Sequence, residues 1–174
     1  MASPSQADSL IGSSIQAEYR YPDSDTVYPG STISTNPFLV GAGEETIISI
    51  EEVTDLHINF DSASLLITLN TILPAPIWGS ADQNGPAFTV LSGNPFPAIS
   101  SVSSTGIIGP VSAFLSSGVL FVNWAGLAYR DGDTVTVNFA PVSAVPLPAA
   151  LPLFVGGLAA MAWLGRRKRR ATKG

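Results

Sequence analysis

The sequence contains no cysteine, which excludes disulfide bonds, thiolate-bound zinc sites and cysteine nucleophiles. Charged residues are also scarce, at 12% of 174 positions, whereas about a quarter is usual in globular domains. Serine and threonine, 33 residues in all, supply much of the polarity instead. This composition suits a β-rich domain with hydroxyl-bearing outer faces and differs from the charge-dense composition of disordered chains.

Cations are nearly absent from the first 165 residues, where Arg20 and Arg130 stand against thirteen acidic residues. Two cations and thirteen acids give this part a net charge of −11, whereas residues 166–174 carry six cations and no acid. A surface with an excess of carboxylates repels the phosphate backbone of nucleic acids. We therefore expect no nucleic-acid partner for the acidic part.

No segment of the acidic part sustains a helical period of 3.6 residues, and alternation of apolar and polar residues dominates instead. The pair Leu56–Phe60 and Leu65–Leu69, separated by turn residues, is the clearest predicted β-hairpin. The other predicted strands are 15–20, 45–51, 88–91, 99–103, 119–124 and 134–139. Short strands separated by proline and glycine predict an antiparallel β-sandwich, Ig-like or jelly-roll-like, over residues 15–140.

The first fourteen residues are polar and contain no apolar run of the length that a signal peptide needs. The stretch Ser5-Gln6-Ala7 nevertheless has the small-x-small form of a cleavage site, with Asp8 as a candidate first residue of the mature chain. We therefore interpret residues 1–14 as a leader remnant or a flexible start.

The C-terminal part has a proline-rich segment, an apolar segment and a basic segment, in that order. Residues 141–148 form a predicted linker and motif, and residues 149–165 form one predicted hydrophobic transmembrane helix. The twenty residues Val145–Leu164 are uncharged, and twenty helical residues span about 30 Å, the thickness of a hydrocarbon core. The basic tail, residues 166–174, opens with a predicted membrane stop, which consists of Arg166, Arg167, Lys168, Arg169 and Arg170. Such a cluster marks the cytoplasmic side, so we expect the β-domain on the opposite side.

This C-terminal order resembles the PEP-CTERM sorting signal of exported bacterial proteins, in its VPLPA variant. The matching motif residues are Val145, Pro146, Leu147, Pro148 and Ala149, and the apolar run and the basic cluster follow them. The resemblance covers roughly 30 residues, and the Pro-Glu-Pro core of the family is absent, as the variant implies. The alternative interpretations of the same residues are a plain, uncleaved membrane anchor and a buried core helix followed by a solvated basic end.

The resemblance implies that the chain is exported and held in the inner membrane with its β-domain on the periplasmic or extracellular side. An exosortase-type enzyme would then process the chain at the motif, leaving the domain at the cell surface or in the extracellular matrix. The implied partners are the membrane, the exosortase and exopolysaccharide. We expect a non-enzymatic role for the domain and no cofactor.

Ionisable residues of the acidic part form no recognised catalytic motif. His57 is the only histidine and lies on the polar side of a predicted strand, where a surface position is the simplest interpretation. The pairs Asp23/Asp25 and Asp131/Asp133 are weak candidates for a metal site, since carboxylates around a turn suit calcium. Turn formation alone also explains both pairs.

The aromatic residues indicate an alternative function, that of a carbohydrate-binding or carbohydrate-active module carrying the same sorting signal. The candidates for a sugar-stacking platform are Tyr19, Tyr21, Tyr28, Trp78, Trp124 and Tyr129. Core packing is the simplest interpretation for Trp124, whereas Trp78 follows a proline-rich stretch and is expected to be more exposed. An aromatic cleft with two carboxylates would indicate an enzyme, and a Ser/Thr-covered sandwich would indicate a structural protein.

Overall fold

The computed structural model describes residues 9–141, and this part of the chain forms eleven β-strands and no helix. The strands are β1 (Ser14–Arg20), β2 (Ser31–Ile33), β3 (Phe38–Leu39), β4 (Thr46–Ile50), β5 (Thr54–Phe60), β6 (Ser64–Thr71), β7 (Gly85–Ser92), β8 (Ile99–Thr105), β9 (Ser112–Ser116), β10 (Val119–Asn123) and β11 (Thr134–Phe139). The prediction of a mainly β fold is confirmed for these residues.

The strands form two antiparallel sheets. Sheet A has the order β3-β1-β7-β10-β9, and sheet B has the order β2-β4-β5-β6-β11-β8. Burial alternates along the inner strands, so that in β1 the side chains of Ile15, Ala17 and Tyr19 are buried and their neighbours are not. Since successive side chains of a strand point to opposite faces, such strands bury one face and present the other to solvent. In sheet A, β7 and β10 are buried on the outer face as well, at Ala87 and Phe121.

One apolar core contains side chains from both sheets. At its centre, Phe60 of β5 meets Phe88 of β7 edge to face, with 5.2 Å between ring centroids. Phe38 of β3 lies 6.0 Å from the same Phe60 ring. Because sheet A supplies Phe38 and Phe88 and sheet B supplies Phe60, the architecture is sandwich-like.

The predicted hairpin is confirmed as β5 and β6. Phe60 pairs with Leu65, and the register continues without a shift to the pair of Thr54 and Thr71. The turn is closed by the Asp61 N–H, which donates to the Ser64 carbonyl oxygen at 2.8 Å. Asp61 also accepts the Ser62 N–H through its carboxylate, so the turn residues act as their side-chain chemistry predicts.

Three strands were not predicted. β2 and β3 have only three and two residues, too few for alternation to be detected. β9 lies at the edge of sheet A and exposes both Phe114 and Leu115, so it shows no clear alternation. Ser117 and Gly118 join β9 to β10 with φ of 50° and 82°, the left-handed geometry of a tight hairpin turn.

Candidate functional site

The six aromatic residues proposed from the sequence lie at one end of the two sheets. Tyr19 lies near the end of β1, and Tyr21 and Tyr28 lie in the loop that follows it. Trp78 lies between β6 and β7, whereas Trp124 and Tyr129 lie between β10 and β11. Residues up to 110 positions apart are therefore brought into one cluster.

The rings of this cluster stack on one another. Trp78 lies 4.4 Å from Tyr129 with 10° between the ring planes, and it lies 5.4 Å from Trp124 with 26° between them. Tyr21 and Tyr28 meet edge to face at 5.6 Å. The expected exposure of Trp78 was wrong, since only 7% of its surface is accessible, whereas Trp124 is fully buried as expected. The Trp78 ring is buried because Tyr129 and Trp124 stack on it, and its backbone N–H donates to the Leu127 carbonyl oxygen at 3.0 Å.

A buried hydrogen-bond chain fixes the floor of the cluster. Trp124 Nε1–H donates to the Tyr19 hydroxyl at 3.0 Å, and the Tyr19 O–H donates to Asn84 Oδ1 at 2.6 Å. Asn84 Nδ2 then donates to the Gly79 carbonyl oxygen at 2.9 Å. Since the Trp124 indole N–H, the Tyr19 hydroxyl and the Asn84 amide all have partners, this hydrogen-bond chain holds the rings in one arrangement.

A pocket of about 270 Å³ opens onto the cluster. We call it the aromatic pocket, and the residues that define it are Tyr19, Tyr21, Tyr28, Trp78, Tyr129 and Glu51. Leu73 and Ile77, 38% and 68% exposed, add an apolar rim. Among the described residues that line the pocket, Glu51 supplies the only carboxylate, and there is no cation.

Glu51 occupies a strained turn between β4 and β5. Glu51 and Glu52 have φ of 50° and 58°, a region that non-glycine residues enter at a cost. The Val53 N–H closes the turn by donating to the Ile50 carbonyl oxygen at 3.0 Å. Two consecutive left-handed residues normally call for Asn-Gly, so a glutamate pair here is an outlier of the kind that clusters at functional sites.

Tyr28 joins the strained turn to the aromatic rings. Its O–H donates to the Glu51 carboxylate, and this hydrogen bond raises the pKa of the Tyr28 phenol. A side chain at Gly30 would place its Cβ 2.7 Å from Tyr28 Cε1, so glycine at that position leaves room for the ring. Tyr28 is thus held from two sides as a wall of the aromatic pocket.

Burial affects the hydroxyl groups of both tyrosines at the floor. Burial raises the pKa of Tyr19 well above its ordinary value. Burial also raises the pKa of Tyr129, whose hydroxyl lies 2.8 Å from Thr54 Oγ1. The Nε1–H of Trp78 is buried with no acceptor among the described residues, a cost of about 1–3 kcal/mol that native structures seldom carry.

Three of the four predicted metal candidates, Asp23, Asp131 and Asp133, accept hydrogen bonds from backbone N–H groups. Asp23 Oδ1 accepts the N–H groups of Asp25 and Thr26 at 3.0 and 2.8 Å. Asp131 accepts the Thr71 N–H at 3.0 Å, and Asp133 accepts the Arg130 N–H at 2.8 Å. Within residues 9–141, no three histidine, aspartate or glutamate side chains converge as a metal site would require.

His57 lies on the outer face of sheet B, as predicted. Its Nδ1 is paired with Glu44 and its Nε2 lies 2.9 Å from Asn70 Nδ2. The surrounding face carries hydroxyl and amide side chains in register across three strands. Thr134 of β11 pairs with Thr68 on one side and Thr105 on the other. This outer surface matches the Ser/Thr-covered face that the composition predicted.

The predicted motif Val145–Ala149, the transmembrane helix over residues 149–165 and the membrane stop Arg166–Arg170 lie outside the described residues. Within residues 9–141, no helix is long and apolar enough to cross a bilayer. No protein-family model, no curated protein and no solved structure matches the chain.

Proposed function

We propose that the chain is an exported, non-enzymatic β-domain protein that a C-terminal sorting signal delivers to the cell surface or extracellular matrix. The order of the VPLPA motif, the uncharged run and the membrane stop carries the proposal. The chain is first held in the inner membrane with the β-domain outside, and an exosortase-type enzyme then processes it near Val145–Ala149. Exopolysaccharide is the proposed matrix partner.

The position of the motif relative to the fold supports this proposal. The last strand ends at Phe139, and the motif begins six residues later at Val145. Cleavage at the motif therefore leaves every described strand in the released product. The charge asymmetry also fits, because the six cations would stay on the membrane side while the acidic domain leaves.

Intact mass spectrometry of membrane, medium and matrix fractions from native cells tests the proposal. We expect the medium or matrix form to lack roughly 25–30 C-terminal residues, the length from the motif to the chain end. Pro146→Ala with Pro148→Ala should trap the full-length chain in the membrane, whereas Pro141→Ala, upstream of the motif, should be processed normally. A full-length chain found only in the membrane, or normal processing of the double variant, would contradict the proposal.

The second candidate function is a carbohydrate-binding or carbohydrate-active module with the same sorting signal. The aromatic pocket supports it, since stacked rings at the end of a sandwich suit a small ligand. The described lining supplies one carboxylate, whereas glycoside hydrolysis ordinarily uses two, which favours binding over cleavage.

Cosedimentation of the protein with polysaccharide from the native matrix tests this second candidate. Tyr28→Ala, which removes a wall of the aromatic pocket, should reduce the bound fraction. Thr136→Ala, on the outer face of sheet B, is the matched control and should leave it unchanged. Equal binding by both variants and the unaltered protein would assign any binding to another surface.

A further inference from the structure

We propose that the free edge of β9 (Ser112–Ser116) is the interface for a second copy of this chain, whose own β9 pairs with it antiparallel. The pairing would join the two A sheets into one continuous sheet, with a two-fold axis at Phe114. The inference goes beyond the sorting proposal and does not depend on it, because it rests on residues 9–141.

β9 has one edge without a neighbouring strand in the described part of the chain. It lies at the end of sheet A and pairs with β10 alone. A two-residue turn joins the two strands, so the pair next to the turn, Ser116 and Val119, exchanges hydrogen bonds. Because hydrogen-bonded and non-hydrogen-bonded pairs alternate along an antiparallel ladder, the N–H and C=O groups of Ala113 and Leu115 point away from β10. These groups are placed to bond another strand.

The opposite edge of sheet A is closed by a side chain. β3 has only two residues, and Asn36 accepts the Ala17 N–H at 3.0 Å and donates to the Ala17 carbonyl oxygen at 2.8 Å. In sheet B, the edge strand β2 has three residues, and the edge strand β8 exposes mainly serine and threonine. Short strands and polar side chains protect sheet edges from pairing, whereas β9 exposes Phe114 and Leu115.

The sequence around β9 carries no charge that would repel a second copy. Residues 83–129 contain no acidic residue, no basic residue and no histidine, although the chain has thirteen acids in all. The strands β7, β8, β9 and β10 all lie within this stretch. Proteins commonly place lysine on an exposed sheet edge to prevent pairing. Two copies of this acidic domain therefore repel each other least where their β9 edges meet.

The sequence of β9, Ser-Ala-Phe-Leu-Ser, is complementary to itself when two strands run antiparallel about Phe114. In that register Ala113 lies opposite the partner's Leu115, and the two residues exchange main-chain hydrogen bonds through their outward-pointing groups. A small side chain thus faces a large one. Ser112 lies opposite the partner's Ser116, so hydroxyl groups meet hydroxyl groups.

Phe114 gives this edge an exposed aromatic ring. It lies on the outer face of sheet A and stacks on Phe121 of β10, with 5.0 Å between ring centroids and 14° between the ring planes. Phe121 is only 6% exposed, whereas Phe114 is 42% exposed. At the two-fold axis Phe114 would meet the partner's Phe114 in a non-hydrogen-bonded pair, where opposite Cα atoms lie about 4.5 Å apart. The exposed ring would then be covered by an aromatic cross-strand pair.

Cross-linking of the full chain in a non-ionic detergent tests the register, because the natural chain has no cysteine. Ser112→Cys and Ser116→Cys are prepared as separate proteins, mixed and oxidised. The proposed register places the two introduced thiols opposite each other, within reach of a disulfide, so the mixture should give a linked dimer in non-reducing electrophoresis. Either variant alone places its two thiols about 13 Å apart along the paired strands and should give no linked dimer.

Sedimentation equilibrium of the full chain in a density-matched detergent measures the association itself. We expect a reversible dimer for the unaltered protein. Phe114→Lys places two ammonium groups at the axis and should raise the dimer dissociation constant about tenfold or more. Leu39→Lys adds the same charge to β3, at the opposite edge of sheet A where Leu39 is 68% exposed, and should dimerise like the unaltered protein. Far-ultraviolet circular dichroism verifies that both variants keep their strands.

Three results would overturn the inference: a monomer at every concentration, equal dimerisation by the two lysine variants, or linked dimer from either cysteine variant alone in the amount that the mixture gives. Equal dimerisation would assign the association to another surface, such as the apolar run Val145–Leu164. Should Phe114→Lys lose its strands, the cross-linking of the two cysteine variants still decides the register. Processing at Val145–Ala149 is unaffected by each result, because its readout is the mass of the processed chain.

Discussion

Trp78 lies face to face with Tyr129, 4.4 Å between ring centroids, although the two residues come from different connections between strands. The stack joins the β6–β7 connection to the β10–β11 connection and closes one side of the aromatic pocket. Since offset stacking adds roughly 0.5–1.5 kcal/mol beyond apolar burial, the contact both shapes the pocket and stabilises the loops that form it.

The Tyr19 hydroxyl is expected to stabilise the sandwich strongly. Tyr19→Phe would leave Trp124 Nε1–H and Asn84 Oδ1 buried without their partner, so we expect a loss of about 3 kcal/mol in the free energy of unfolding. Chemical denaturation measures this loss of stability. Tyr28→Phe removes a hydroxyl from an exposed pair and should cost about 1 kcal/mol or less. Equal losses in the free energy of unfolding for the two variants would contradict the stabilising role of the buried hydrogen-bond chain.

The strained turn is expected to be stabilised by glycine. Glu52→Gly relieves a left-handed residue with φ of 58°, so we expect a gain of about 1 kcal/mol in the free energy of unfolding. Ser49→Gly, within β4, is the control and should lose about 0.5–1 kcal/mol, because glycine weakens a strand interior. Thermal denaturation of both variants checks the prediction, and a loss of stability in Glu52→Gly would disprove the strain.

Stability is expected to fall in alkaline solution. Burial raises the pKa of both Tyr19 and Tyr129 in the folded state. In the unfolded chain these phenols ionise near the ordinary value of about pH 10. Above that pH the unfolded state binds fewer protons than the folded state, so the free energy of unfolding decreases as pH rises toward the folded-state pKa values.

Tyrosinate absorbance and far-ultraviolet circular dichroism, followed together through an alkaline titration, check that expectation. Ionisation of the buried tyrosines should coincide with loss of strand signal. Full ionisation of all four tyrosines with the strand signal intact would show that Tyr19 and Tyr129 reach solvent in the folded state.

The contact between the two sheets is expected to depend on Phe60. Phe60→Ala removes a fully buried ring that meets Phe38 and Phe88, and we expect a loss of about 3–5 kcal/mol. Leu66→Ala changes a residue of β6 that is 37% exposed, so its loss should stay near 1 kcal/mol. Urea denaturation of the two variants gives the comparison, and similar losses would contradict a shared core.

The sequence predicts the strands that bury one face most accurately. β11 has the predicted bounds, 134–139, because Val135, Val137 and Phe139 alternate with polar residues and proline follows closely. β9 was not predicted because an exposed edge strand needs no alternation. Alternation of apolar and polar residues thus indicates a strand that buries one face. It does not indicate a strand that is held mainly by backbone hydrogen bonds.

The sequence identifies the aromatic residues of the aromatic pocket but does not predict how they are arranged. The six rings were identified as candidates by their type, but the burial of Trp78 depends on stacking with Tyr129, 51 positions away. Glu51 was not identified as a site residue from the sequence, because its left-handed backbone and its hydrogen bond to Tyr28 arise from the turn geometry. The glutamate pair itself does not indicate a left-handed turn, because Asn and Gly are the residues that usually mark one.

The position of β11 has a mechanical consequence. It is an interior strand that pairs with β6 over Thr134–Asn138 and with β8 over Thr134–Phe139. Tension applied to the chain beyond Phe139 is therefore divided between two hydrogen-bonded ladders. β11 is extracted only when its hydrogen bonds to both β6 and β8 break. A domain pulled from this end by flowing liquid would resist traction better than one in which the last strand lies at a sheet edge.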